Sequence, residues 1–105
     1  MGERANFALI LDLAQLGSNQ VVVVDHNNRC IRKVDRDTRR VSFFAARCNV
    51  GGTFSGERRA LTATIGYPTK VMYLPTNNVL YYLTLKQGEF SVIILRHDLT
   101  TSKLN

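Results

Sequence analysis

From Gln20 to Cys48 short apolar runs alternate with polar turn clusters, and this rhythm predicts three strands joined by two tight turns. Val21 to Val24 is an unbroken β-branched run, too short for a helix, which suits a strand buried on both faces. Asp25-His26-Asn27-Asn28 is a turn cluster, because Asn and Asp side chains bond nearby backbone and tolerate left-handed geometry. Cys30 to Arg36 returns, Asp37-Thr38 turns again, and Arg40 to Ala46 runs outward. In that last strand Val41, Phe43 and Ala45 share one face, and Ser42, Phe44 and Ala46 the other. Phe on both faces asks for cover on both. The middle strand alternates less cleanly, with Ile31, Lys33 and Asp35 on one face. A meander with a doubly buried strand must be covered by neighbouring sheets.

Upstream, Phe7 to Ala14 has a period of two, and Gly17-Ser18-Asn19 stops it too soon for a stable helix, so it reads as a strand. From Asn49 to Tyr67 periodicity is lost, and Gly51, Gly52, Gly56 and Gly66 mark a long connection. No phosphate-loop lysine or dinucleotide spacing follows Gly51-Gly52, so a plain linker is expected there. Pro68 opens a second unit. Thr69 to Leu74, Val79 to Leu85 and Phe90 to Leu95 read as strands, with turns at Thr76-Asn77-Asn78, Gln87-Gly88-Glu89 and His97-Asp98. Leu99 to Leu104 supplies the last strand. Val21–Val24 answers to Val79–Tyr82, and Ile31–Asp35 to Val92–Arg96, which is an internal repeat with a degenerate second copy. The expected fold is all-β: two four-stranded antiparallel meander sheets within one unit, 1–105, divided as 7–48, a connection at 49–67, and 68–105.

The residues Val22-Val23-Val24-Asp25, Asn28-Arg29-Cys30-Ile31-Arg32-Lys33-Val34-Asp35 and Val41-Ser42-Phe43-Phe44-Ala45 resemble an NHL repeat, one blade of a β-propeller. The continuation through Cys48, Gly51-Gly52, Phe54-Ser55-Gly56 and Pro68 is similar to that family's connection to the next blade. Ala46 stands where Gly is usual, and Ser55 where Asp is usual. The resemblance covers most of Gln20 to Tyr82 and implies that each sheet is a propeller blade. Closed propellers use roughly 4–8 blades, and 105 residues hold two at most. The resemblance therefore implies closure by oligomerisation, for example three copies in a six-bladed ring, or by association with further blades.

Charge sharpens the picture. The net charge is +6, and Arg29 to Arg59 carries nine basic residues against Asp35, Asp37 and Glu57, which accounts for the whole excess. Arg29, Arg32, Lys33, Arg36, Arg39, Arg40, Arg58 and Arg59 form a candidate patch for an anionic partner such as RNA or an acidic glycan. One intracellular group of NHL propellers presents such a surface to single-stranded RNA. The plainer reading is a solvated edge that keeps strands from pairing with strangers.

Two cysteines allow one intrachain bridge, Cys30 to Cys48. If residues 36 and 39 face each other, Cys30 falls opposite position 45, so a bridge to Cys48 needs a bulge or a bend. Two ordinary thiols are the alternative. Extracellular members of the resembled family often carry cysteines near these places, which favours an extracellular or secreted protein over a cytoplasmic one. No signal peptide or membrane-spanning run is visible, so no membrane insertion is expected.

The catalytic inventory is thin. His26 and His97 are expected on turns, and neither stands beside a nucleophile in a familiar constellation. No C-x-x-C or H-x-x-x-H spacing offers a metal site, and no cofactor motif is present. Tyr81 and Tyr82 read as core. The residues argue against an enzyme and for a protein-interaction or assembly platform that works through protein partners or self-association.

Overall fold

Gly17, at a φ of 70°, reverses the chain between its first two apolar runs. In a computed structural model, which describes residues 9–52, 54, 56, 58–86, 88 and 91–105, β1 (Ile10–Leu16) and β2 (Gln20–Asp25) pair antiparallel across that turn. β3 (Cys30–Asp35) and β4 (Val41–Ala45) complete a four-stranded antiparallel meander in the order β1-β2-β3-β4. A second sheet has the order β5-β9-β8-β7-β6, built from β5 (Arg58–Arg59), β6 (Tyr67–Leu74), β7 (Val79–Leu85), β8 (Val92–Asp98) and β9 (Lys103–Leu104). A 3₁₀ turn, Ala60–Thr62, follows β5. The all-β class holds, with one four-stranded meander.

The core lies between the two sheets. Strand pairing sets Asp12, Val24, Ile31 and Ala45 in one row across the first sheet, and Val71, Tyr82 and Leu95 in one across the second. Val22, Val24, Ile31, Leu80, Tyr82, Leu95 and Leu104 are buried there. β1 lies against β6, and the Asp12 Oδ2 accepts a hydrogen bond of 3.0 Å from the Val71 N–H at the open edge of β6. On the far side Ala60, Ala63 and Ile65 are buried between the sheets. Ala46 and Arg47 donate their N–H groups to the Ala60 and Ala63 carbonyls, at 2.7 and 2.9 Å.

Several boundaries move. The first strand runs Ile10–Leu16 rather than from Phe7 to Ala14, because the Leu16–Gln20 pairing carries it up to the turn; Phe7 and Ala8 lie outside the described residues. The connection at 49–67 is no plain loop, since β5 joins the second sheet, which has five strands and not four. His97-Asp98 is the end of β8, not a turn, because Leu80 and Val79 of β7 pair with them. The turn comes next, where the Asp98 Oδ1 accepts the Thr100 and Thr101 N–H groups at 2.9 and 3.3 Å. β8 starts at Val92, with Phe90 outside the described residues. The last strand keeps only Lys103–Leu104 of the expected Leu99–Leu104.

The repeat also slips, by one residue between β2 and β7 and by two between β3 and β8. Asp35 and Asp98 hold equivalent places: the Asp35 Oδ1 accepts the Asp37 and Thr38 N–H groups at 3.0 and 3.1 Å. Four residues after each aspartate the chain turns left-handed, at Arg39 and Ser102. The Arg36 N–H donates to Asn19, and the Leu99 N–H to Asn78, at 2.7 and 3.1 Å. Asp98, rather than Arg96, therefore matches Asp35.

Candidate functional site

Each sheet has a second face, turned away from the core. On the first, pairing aligns Leu13, Val23, Arg32 and Phe43 in one row, and Gln15, Val21, Val34 and Val41 in the next. Leu13 is 59% exposed and Phe43 65%. On the second, Met72, Tyr81 and Arg96 form one row, and Lys70, Leu83 and Ile94 another. Met72 is 56% exposed and Ile94 65%. Both outer faces are mostly apolar and open. Tyr82 turns inward to full burial, whereas Ile94 faces solvent. Phe44 packs against the core while Phe43 does not, so among the described residues β4 is covered on one face only.

The eight basic residues do not share one surface. Arg29 ends the β2–β3 turn, its guanidinium 5.1 Å from the centre of the Tyr67 ring, with His26 tilted against the same ring at 5.4 Å. The His26 Nδ1–H donates to the Pro68 carbonyl at 2.9 Å. Arg36, Arg39 and Arg40 are exposed at the opposite end of β3, roughly 20 Å away at a strand's rise of about 3.3 Å per residue. Arg32 and Lys33 point to opposite faces, as neighbours in a strand must. The Arg32 Nε lies 3.1 Å from the Asp25 Oδ2, and its guanidinium 5.9 Å from the Phe43 ring centre. Asp25 is fully buried and also accepts from the Asn28 amide at 2.8 Å, which explains an acidic residue at the end of a valine strand. Arg58 and Arg59 are exposed on β5.

Cys30 and Cys48 form a disulfide with their Cα atoms 4.9 Å apart. Both a bulge and a bend bring them together. Pairing between β3 and β4 shifts by one between Arg32–Phe43 and Ile31–Ala45, so Phe44 is the extra residue. That shift places Ala45 beside Ile31 on the core side, not with Val41 and Phe43 as strict alternation predicts. Ala46 then takes a φ of 69°, and the Asn49 N–H reaches the Asn28 carbonyl at 2.6 Å. A left-handed alanine is costly, and this is the position where the resembled repeat has Gly.

A cleft of about 610 Å³ opens between the sheets, lined by Lys33 and Phe44 from the first and by Arg59, Leu61 and His97 from the second and its 3₁₀ turn. His97 is buried, with its Nδ1 2.6 Å from the Tyr82 hydroxyl. Burial lowers the His97 pKa to about 4, against the opposing pull of the Asp98 charge, and raises that of Tyr82 well above its ordinary value. The Thr38 N–H, followed by weaker bonds nearby and offset by burial, holds the half-buried Asp35 carboxyl below its usual value. Sequence reasoning missed the His97–Tyr82 pair. Their separation of fifteen residues becomes a contact only through the β7–β8 register.

Among the described residues no three His, Cys, Asp or Glu side chains gather as metal ligands. No helix among them is long and apolar enough to cross a membrane. In comparisons with known proteins the chain matches no family model and no curated protein.

Proposed function

We propose that this chain is a non-enzymatic, NHL-like propeller module: an assembly platform whose two outer sheet faces take further sheets of the same kind. The observation that carries the reading is the pair of open apolar faces, one centred on Leu13 and Phe43 and the other on Met72 and Ile94. Apolar surface of this extent favours burial at about 25 cal/mol per Å². The chain's own sheets already stack face to face through comparable aliphatic and aromatic rows, so the same chemistry serves the outer faces. The disulfide supports an extracellular setting, since reducing compartments do not keep such bonds.

The RNA-binding alternative needs its cations on one surface. With Arg29 and Arg36 at opposite ends of β3, and Arg32 and Lys33 on opposite faces, it is the weaker reading. Sedimentation velocity tests the proposal. The chain should run heavier than its 11.8 kDa, and Phe43→Glu and Ile94→Glu should each release monomer while keeping the β-sheet circular dichroism signal. A stable monomer of the unsubstituted chain in dilute buffer would overturn it.

A further inference from the structure

We propose that the cleft between the two sheets, beside Lys33 and Arg59, binds one small organic anion with an apolar body, an aryl carboxylate or aryl phosphate. Its volume of about 610 Å³ falls within the roughly 300–1,000 Å³ of small-molecule sites. The walls come from both sheets, so the site exists only in the folded chain, and its lining includes Phe43 of the first sheet's outer face. Lys33 on β3 and Arg59 on β5 bring two positive charges to its lining, and no carboxylate stands among the described residues there. An anion that reaches both cations gains two charge-assisted bonds.

The lysine is already positioned. Its Nζ lies 5.1 Å from the centre of the Phe44 ring, which holds the ammonium against the wall instead of leaving it to sweep through solvent. Leu16, Phe44 and Leu61 give the cleft apolar surface for a flat ring. His97, buried and engaged by Tyr82, adds a polar wall.

The test titrates the folded chain with 2-naphthoate, 2-naphthyl phosphate and the neutral 2-naphthamide, followed by amide chemical shifts and calorimetry. One anion molecule should bind per chain, with shifts at Lys33, Phe44, Leu61 and His97, and the amide should bind roughly tenfold more weakly or not at all. Lys33→Gln and Arg59→Gln should each weaken binding about fivefold. Lys70→Gln, on the outer face of the second sheet, should leave it unchanged. Both sites are peripheral, and a dispersed amide spectrum will show that each variant is folded. Equal binding of the amide, shifts confined to Met72 and Ile94, or no saturation below about 1 mM would overturn the proposal.

Discussion

The two sheets use the same turns and different locks. In each, an aspartate closing the third long strand captures the backbone of the turn that follows, and a residue just beyond it bonds to the asparagine before the second strand. Their inner faces differ in bulk. The first presents Val22, Val24, Ile31 and Ala45, and it is cross-linked by Cys30–Cys48 and buttressed by the buried Asp25 against Arg32. The second presents Leu80, Tyr82, Leu95 and Leu104, with no cross-link, and a polar pair, Tyr82–His97, sits inside it. Where side chains are small, a covalent tie makes up for limited apolar burial. Where they are large, packing suffices and leaves room for one satisfied polar contact.

Tyr82→Ala strikes the packed sheet hardest. It should cost about 4 kcal/mol, the range for a large buried aromatic, and denaturant unfolding would measure it. A loss below about 1 kcal/mol would mean that the second sheet is not held by packing. Reduction, or Cys30→Ser with Cys48→Ser, should cost the first sheet about 3 kcal/mol, because the bond closes a loop with a sequence separation of 18. Hydrogen exchange should locate that loss in β3 and β4, and a uniform loss would erase the contrast between the sheets.

Acid acts on the packed sheet. The folded pKa of His97 is about 4, below its ordinary 6.5, so the unfolded chain binds more protons in between. Its contribution is full above about pH 6.5 and is lost as the pH falls through the folded value near 4, by at most about 3 kcal/mol. Unfolding curves across that window should flatten in His97→Gln. The smallest effect goes the other way. Thr84 is fully buried and its Oγ1 has no hydrogen-bond partner among the described residues, so Thr84→Val should raise stability by about 1 kcal/mol. A thermal shift downward would show that the hydroxyl is satisfied in solution.

Legibility followed the range of the interaction. Val79–Leu85 was readable to the residue, and Gly88 does take the positive φ of 79° that its turn asks for. The pairing of residues 32–34 with 41–43 followed directly from the Asp37-Thr38 turn. The bulge at Phe44 was readable only as a requirement of the bridge, because nothing in Phe-Phe-Ala says which residue is extra. β5 escaped notice, since two arginines carry no strand signal and pair only because Leu104 and Lys103 arrive beside them. The basic residues were visible one by one, but their separation over two faces and two strand ends was not. Of the cleft, the sequence showed Lys33 and Arg59 as charges, and nothing of the wall they share with His97.

What the sequence alone determined is the course of most of the longer strands and of the turns between β2, β3 and β4, because alternation, β-branching and Asn, Asp and Gly at reversals act over a few residues. Only the tertiary structure decided which faces are covered, which cations stand together and which histidine is buried. Those outcomes depend on register and on stacking between segments far apart in the chain, and no local pattern encodes them.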